Sequence, residues 1–129
     1  MAQGRARTSG GLEREIIACL AAADGPMTPA EVQAEIGGDL AYTTVMTTLS
    51  RLYAKQALER SPRGRAFAYQ LVGDASIAQA SLTAHQMRAL LETGEDRASV
   101  LSRFVQTLDG ESAQLLRELL SRSRTATRR

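Results

Sequence analysis

Residues 40–56 read LAYTTVMTTLSRLYAKQ, and this stretch decides the fold. At the helical period of about 100° per residue, one side carries apolar groups, namely Val45, Leu49, Leu52 and the ring of Tyr53. The opposite side, here called the recognition face, carries short hydroxyls and one guanidinium: Thr43, Thr44, Thr47, Ser50 and Arg51. The alternative is that threonine is simply tolerated here, but it is a poorer helix former than the Glu and Lys of an ordinary solvated face. The pattern therefore favours a helix that approaches another large molecule.

Two further helices are predicted upstream. In the second, Thr28 can cap, Pro29 suits the first helical position and Glu31 completes a capping box. That helix runs to Gly37-Gly38, a short distance before the recognition helix. The first helix has apolar positions at helical spacing and ends at Asp24-Gly25-Pro26; these positions are Leu12, Ile16, Cys19, Leu20 and Ala23. Two helices joined by a tight glycine-containing turn, the second with a polar face, form a helix-turn-helix.

A β-hairpin with a basic tip is predicted after the recognition helix. Phe67, Tyr69 and Leu71 alternate as in a half-buried strand, and residues 61–65, Ser-Pro-Arg-Gly-Arg, are predicted to be the hairpin loop. Between residues 50 and 70, five basic residues face one acidic residue, in a chain whose net charge is only +2. Such a local basic patch is typical of a phosphate-binding edge. Helices followed by strand, basic hairpin and strand is the order of a winged helix-turn-helix.

Three more amphipathic helices are predicted after Gly73. Their apolar positions are Ile77, Ala80, Ala84, Met87 and Leu91, then Val100, Leu101, Phe104, Val105 and Leu108, then Leu115, Leu116, Leu119 and Leu120. Three short helices in about fifty residues bury such stripes poorly alone, and a second copy of the chain would cover them. The predicted fold class is mainly α with a small β-wing: a winged helix-turn-helix followed by a C-terminal helical dimerisation domain.

The domain boundaries follow from these elements and from composition. Residues 1–10, rich in Gly and Arg without periodicity, are predicted to form a flexible N-terminal arm. Residues 11–73 are predicted to form the winged helix-turn-helix DNA-binding domain, and residues 74–122 the helical dimerisation domain. The polar and basic residues 123–129 are predicted to be a disordered tail.

Composition and isolated residues exclude several classes of function. The longest apolar run, residues 16–23, is too short to span a bilayer and no signal peptide is evident, so the protein is expected to be cytoplasmic. The lone Cys19 is expected to be a small buried hydrophobe. His85 has no ligand or catalytic partner at suitable spacing, and no phosphate-binding or dinucleotide-binding glycine motif is present. The protein is therefore not expected to be an enzyme, and neither a cofactor nor a metal is expected.

The sequence resembles the BlaI/MecI family of penicillinase repressors, which are bacterial winged-helix regulators. The resemblance rests on LEREII, TPAEVQAEI, AYTTVMTTLSRLYAKQAL and GRAFAYQLV, and more weakly on SVLSRFVQTL and LLRELL. In this family the first part binds DNA and the C-terminal helices interlock two subunits. The resemblance implies a homodimer that binds an inverted repeat, typically with TACA and TGTA half-site elements, and represses the gene beyond it.

Position by position, the resemblance assigns DNA contact to the recognition helix at Tyr42, Thr43, Thr44, Met46 and Thr47, with Arg51 further along. Threonine hydroxyls can bond base edges or phosphates, and their methyls, like Met46, can pack on the thymine methyl. Phosphate contacts, which position a protein without reading sequence, are assigned to Arg51, Lys55, Arg63 and Arg65. Two alternatives stay open, Met46 as core filler and Tyr42 as an anchor of the helix start.

Dimer contacts are expected from Leu91, Leu101, Phe104, Val105, Leu108, Leu116, Leu119 and Leu120. In the β-lactam branch of the family, a membrane sensor-protease triggers cleavage of the repressor at an Asn-Phe bond. The matching pair here is Arg103-Phe104, which keeps Phe but not Asn, so the sequence speaks against β-lactam-triggered cleavage. The resemblance nevertheless implies a membrane sensor-protease or its downstream protease as a partner. The paired cysteines of the copper-sensing branch have no counterpart near this C-terminus.

The alternative function is a winged-helix module that binds protein without specific DNA binding. A protein-docking face would be more apolar and aromatic. Arg60, Arg63 and Arg65 beside a threonine face favour phosphate instead.

Overall fold

The computed structural model describes residues 9–127, which form six helices and a two-stranded sheet. In chain order these are α1 (Ser9–Ala22), α2 (Pro29–Ile36), α3 (Tyr42–Ala54), β1 (Leu58–Arg63), β2 (Ala66–Leu71), α4 (Ala75–Thr93), α5 (Arg97–Thr107) and α6 (Gly110–Thr127). The predicted fold class, mainly α with a small β-wing, is confirmed.

At both ends of the chain, the described residues are helical where the sequence predicts a flexible arm or a disordered tail. Residues 1–8 of the predicted arm lie outside the described residues, and Ser9 and Gly10 already belong to α1. At the other end α6 continues to Thr127, so residues 123–127 are helical rather than a disordered tail. Arg122 and Arg124 fall in the last turns of α6, where basic side chains interact favourably with the helix dipole. Residues 128 and 129 lie outside the described residues.

The helix-turn-helix forms as the sequence predicts, because both ends of α2 are capped. The Thr28 hydroxyl accepts a hydrogen bond from the Glu31 amide (3.3 Å), and the Glu31 carboxylate accepts one from the Thr28 amide (2.9 Å). Gly37 ends the helix with φ 73°, a conformation that glycine adopts without steric cost. The Gln33 side-chain amide donates to the Leu40 carbonyl (2.9 Å), which ties the turn to α2.

The core of the winged-helix part lies between α1, α2, α3 and the hairpin. Its buried members are Leu12, Ile16, Ile17, Leu20, Val32, Val45, Leu49, Leu52, Ala57, Leu58, Tyr69, Ala78 and Leu82. The predicted inner face of α3 is confirmed for Val45, Leu49 and Leu52. Tyr53 is an exception: its side chain is exposed at the edge of the core. Cys19 is only partly buried, and this burial raises the pKa of its thiol.

The hairpin is longer and its turn tighter than predicted. β1 and β2 pair antiparallel from Leu58 with Leu71 to Arg63 with Ala66, which leaves Gly64 and Arg65 as a two-residue turn. Gly64 has φ 61°, as the first position of a type II′ turn requires. The predicted loop over residues 61–65 is therefore wrong, and residues 61–63 continue β1. Proline is tolerated there because β1 is an edge strand.

A third extended segment borders β2 on its other side. The Met27 amide donates to the Tyr69 carbonyl (2.9 Å), and the Tyr69 amide donates to the Met27 carbonyl (2.7 Å). A single bridging residue has no periodic pattern, so the sequence did not predict this pairing. It fixes the hairpin to the loop between α1 and α2.

Gln56 follows α3 with φ 66°, a left-handed conformation in which a side chain with a Cβ is strained. We expect Gln56→Gly to raise the free energy of unfolding by about 0.5 kcal/mol. Relief of the left-handed strain stabilises the protein by more than this, but glycine loses more backbone entropy on folding, which cancels part of the gain. Gln56→Val should lower it, since a β-branched residue fits this conformation worse. Urea denaturation of the parent protein and the two variants measures both changes. An equal loss of stability in the two variants would contradict the claim that Gln56 is strained.

The chain divides into two compact units, residues 9–86 and residues 87–127 of the described part, with the boundary inside α4. In the first unit, Ala78 and Leu82 are the α4 side chains that join the core, whereas Ile77 of the predicted stripe is exposed. The predicted domain boundary at residue 73 stays a prediction: α4 begins at Ala75, and its first half packs on the winged-helix core through Ala78 and Leu82. No helix among residues 9–127 is both long and apolar enough for a membrane span.

Candidate nucleic-acid interface

The α3 residues predicted to face or contact DNA are all exposed to solvent. Those that are exposed are Tyr42, Thr43, Thr44, Met46, Thr47, Ser50 and Arg51. At about 100° per residue, Thr43, Thr47 and Ser50 form the middle of this surface. Tyr42 and Met46 flank it on one side. Both residues are 41% exposed, and neither belongs to the buried core cluster.

The threonines of α3 divide into one buried hydroxyl and three exposed ones. Thr48 is buried, and its hydroxyl donates to the Thr44 carbonyl one turn earlier (2.8 Å), which satisfies it. Within residues 9–127, the hydroxyls of Thr43, Thr44 and Thr47 make no hydrogen bond to another protein group. They are therefore available to an external donor or acceptor.

Arg63 of the wing folds back onto the start of α2. Its guanidinium donates to the Glu31 carboxylate (3.1 Å) and to the Pro26 carbonyl (3.1 Å). Both members of the ion pair are about half exposed. The Thr28 backbone amide, followed by the charge of Arg63, holds the pKa of the Glu31 carboxyl below its ordinary value. Arg63 thus has a carboxylate partner inside the protein that a phosphate would have to replace.

Lys55 also forms an ion pair inside the protein, and this pair is more buried than that of Arg63. Its ammonium lies 2.9 Å from the Glu13 carboxylate of α1, and the two side chains are only 26% and 13% exposed. Arg51 and Arg65 differ from it, since neither forms an ion pair with any group in the described part of the chain. Of the four predicted phosphate ligands, two are therefore free and two carry an internal carboxylate.

The guanidinium of Arg60 contacts two aromatic rings, and this contact is here called the stack. Its guanidinium carbon lies 4.1 Å from the centroid of the Tyr53 ring and 4.1 Å from that of the Phe67 ring. Both distances are within the range of cation–π attraction. Because Tyr53 belongs to α3 and Phe67 to β2, Arg60 connects the recognition helix to the wing on the side that carries Tyr42 and Met46. We infer this side from the helical positions of Tyr42, Met46 and Tyr53.

Comparison with known proteins identifies the family. The family model described as penicillinase repressor matches residues 9–122, which is most of the chain. The chain belongs to the penicillinase repressor family. The resemblance noted in the sequence is thereby confirmed, and penicillinase repressors are transcriptional regulators rather than enzymes.

Relatives at 32% identity agree with this assignment. Two curated relatives, each named transcriptional regulator BlaI, come from Mycobacterium tuberculosis strains CDC 1551 and H37Rv. Each is 32% identical to this penicillinase repressor family member over 114 residues, which cover 87% of the chain and 82% of the relative. Among solved structures, wild-type MarR from E. coli is 22% identical with a TM-score of 0.45, over 87% of this chain and 76% of MarR.

The second unit of this penicillinase repressor family member carries the predicted dimerisation residues. Leu101, Phe104, Val105, Leu119 and Leu120 are 42–56% exposed, while Leu91, Leu108 and Leu116 are partly buried. No side chain between residues 87 and 124 is buried. The predicted cleavage bond, Arg103-Phe104, lies inside α5. Within residues 9–127, no cluster of three His, Cys, Asp or Glu side chains could hold a metal ion.

The stack of Arg60 is the feature of the interface that the sequence did not predict. The sequence groups Arg60 with the basic residues that favour phosphate, but it predicts no aromatic partner for Arg60. Aromatic residues make up only 4% of the chain, and Tyr53 and Phe67 lie within fourteen positions of each other. This proximity was the available signal, but only the hairpin register shows that both rings reach the same guanidinium.

Proposed function

We propose that this protein is a bacterial, sequence-specific DNA-binding repressor that acts as a homodimer on an inverted-repeat operator. The observation that carries the proposal is the exposed face of α3: within residues 9–127 the hydroxyls of Thr43, Thr44 and Thr47 have no protein partner, and the face lies beside a basic wing. An α-helix fits the major groove of B-DNA, and a wing beside it can follow the sugar-phosphate backbone. Such a repressor acts in the cytoplasm, where the chromosome lies.

The exposed side chains divide into two kinds of contact. Thr43 and Thr47, in the middle of the recognition face, are proposed to bond base edges, with Tyr42 and Met46 packing on thymine methyls at the flank. Thr44 and the cations Arg51, Arg63 and Arg65 are proposed to contact phosphate. Arg63 does so after leaving Glu31. Lys55 would have to give up a more buried ion pair with Glu13, so its phosphate contact costs more.

The second unit is proposed to be the dimerisation domain. Between residues 87 and 124 no side chain is buried, although α5 and α6 carry large apolar residues on one side. Exposed apolar helix faces of this kind mark an interaction site, and a second copy of the chain provides a matching surface. A two-fold dimer presents two recognition helices related by symmetry, which suits an inverted repeat with TACA and TGTA half-sites.

Release is proposed to follow an upstream signal through proteolysis in α5. The Arg103-Phe104 bond is helical, so a protease can cut it only after α5 unwinds locally. A cut there would separate Val100 and Leu101 from Phe104 and Val105 and divide the apolar surface. The proposed partner is a membrane sensor-protease or a protease downstream of it. Loss of the Asn found in the β-lactam branch suggests a different signal or a different cleavage specificity.

The proposal is tested by fluorescence anisotropy on a duplex with a TACA/TGTA inverted repeat and on a scrambled duplex, at about 150 mM salt. We expect binding with dimer stoichiometry, at least about a thousandfold tighter on the repeat. Equal weak binding to both duplexes would reject this operator. Selection from random sequences would then separate a changed half-site, which yields an enriched motif, from a protein-binding module, which yields none.

The proposed contact of Thr47 with a base edge can be tested by substitution. If its hydroxyl bonds a base edge, Thr47→Ala should weaken binding to the cognate duplex by about 1 kcal/mol or more and change binding to scrambled DNA much less. Thr83→Ala, an exposed threonine of α4, is the matched control. Equal losses of Thr47→Ala on both duplexes would assign Thr47 to phosphate.

A further inference from the structure

We propose that Arg60 is a positioning residue that also contacts DNA: its stack fixes the wing against the recognition helix and presents its guanidinium edge to a backbone phosphate. This inference rests on the proposed function and adds a residue to it. The supporting geometry is the contact of one guanidinium with Tyr53 of α3 and Phe67 of β2, both at 4.1 Å from the ring centroid.

The stack leaves the edge of the guanidinium open to a ligand. The guanidinium carbon lies over both aromatic rings, and a ring offers its N–H donors no nitrogen or oxygen acceptor. Within residues 9–127, Arg60 forms no ion pair, in contrast to Arg63 with Glu31 and Lys55 with Glu13. The rings of Tyr53 and Phe67 are themselves 40% and 41% exposed, so the stack lies at the surface. Arg60 therefore has its donors free and its orientation fixed.

The place of Arg60 in the fold explains why the wing needs it. A two-stranded hairpin is marginally stable alone and depends on what it packs against. On the side of α2 the wing is held by Arg63, which bonds Glu31 and Pro26. Next to α3 it is held by Arg60, which lies between the last turn of that helix and β2. Removing the stack frees the wing to change its angle to the recognition helix.

Phosphate is the ligand that fits this position. The carboxyl end of α3 carries the negative end of the helix dipole, which repels an approaching phosphate unless a cation offsets it. Arg60 lies at that end, and a guanidinium edge matches two phosphate oxygens. Because the stack has already ordered the side chain, less conformational entropy is lost when the phosphate binds. A wing lying along a DNA strand would bring a phosphate to this edge.

The test measures binding of the full-length protein to the repeat duplex and to scrambled duplex across a range of salt concentrations. Arg60→Ala removes charge and stack, Arg60→Lys keeps the charge alone, and Tyr53→Leu with Phe67→Leu removes the rings. Arg88→Ala, an exposed arginine of α4 paired with Glu92, is the matched control. Thermal unfolding by circular dichroism verifies each fold, and Arg60→Gln, a neutral planar substitute, replaces Arg60→Ala if that variant does not fold.

We expect Arg60→Ala to lower affinity for both duplexes about tenfold and to flatten the salt slope by about one unit. Arg60→Lys and the variant without the two rings should each keep the salt slope and lose affinity several-fold. When Arg60→Lys is added to the variant without the rings, affinity should fall little further. An unchanged slope in Arg60→Ala overturns the phosphate contact, and wild-type affinity in Arg60→Lys overturns the role of the stack.

Failure of this inference is distinguishable from failure of the proposed function. If the parent protein prefers the repeat and the Arg60 variants match it, the repressor function stands and Arg60 has no part in it. If the parent binds both duplexes equally but Arg60→Ala still flattens the slope, the operator is wrong and the phosphate contact stands. If the parent binds no DNA, both proposals are overturned.

Discussion

Phe104→Ala is expected to weaken the proposed homodimer by at least about a hundredfold, because truncating an aromatic side chain that the interface buries costs about 3–5 kcal/mol and a two-fold interface contains the residue twice. In the single chain Phe104 is 42% exposed and lies beside Val100, Leu101 and Val105 on one side of α5. Sedimentation equilibrium measures the dimer constant. Operator affinity should fall with it, since one half-site alone binds weakly.

Gln106→Ala is the matched control for this prediction. Gln106 is exposed on α5, about half a turn from Phe104, on the side opposite the apolar residues. Its truncation should leave the dimer constant unchanged. If Phe104→Ala also leaves it unchanged, Phe104 lies outside the interface and cleavage before it would not divide the dimer. If both variants dissociate the dimer, the cause is a general loss of α5.

The helices were predictable because their signals are local. The capping box at Thr28, the glycine stop at Gly37 and the apolar period of α3 each lie within a few residues. Apart from the helix ends at the two termini, the errors fall where distant parts of the chain meet. The bridge from Met27 to Tyr69 joins residues with no shared pattern, and the extension of β1 through Pro62 depends on β1 being an edge strand. The α4 face that packs on the core likewise depends on how α4 leaves β2.

The candidate interface was predictable in its exposure but not in its pairing. Helical period placed the recognition face outward, and the structure agrees. The partners of the cations could not be predicted: Lys55 and Glu13 are 42 positions apart, and Arg63 and Glu31 are 32 apart. Charge counting treats all five basic residues of the wing region alike. The fold separates them into paired cations, free cations and one stacked guanidinium.

Arg63→Ala combined with Arg65→Ala is expected to weaken binding about a hundredfold on every duplex and to flatten the salt slope by about two units, one for each lost phosphate contact. The loss should not depend on sequence, because phosphate contacts carry no base information. Anisotropy titrations of the single and double variants at several salt concentrations measure this. An unchanged slope in the double variant would remove Arg63 and Arg65 from the interface.

The ion pair between Arg63 and Glu31 leads to a second prediction, which concerns a substitution of Glu31. Glu31→Gln keeps the capping box, because glutamine also serves at that position, but removes the charge that competes with phosphate for Arg63. Since the Thr28 amide and Arg63 hold the pKa of Glu31 low, that competing charge is present throughout the neutral pH range of binding assays. Glu31→Gln should therefore tighten binding several-fold on any duplex, and the gain should shrink in the Arg63→Ala background. Unchanged or weaker binding would mean that Arg63 stays on Glu31 in the complex, and Arg65 would then be the phosphate contact of the turn.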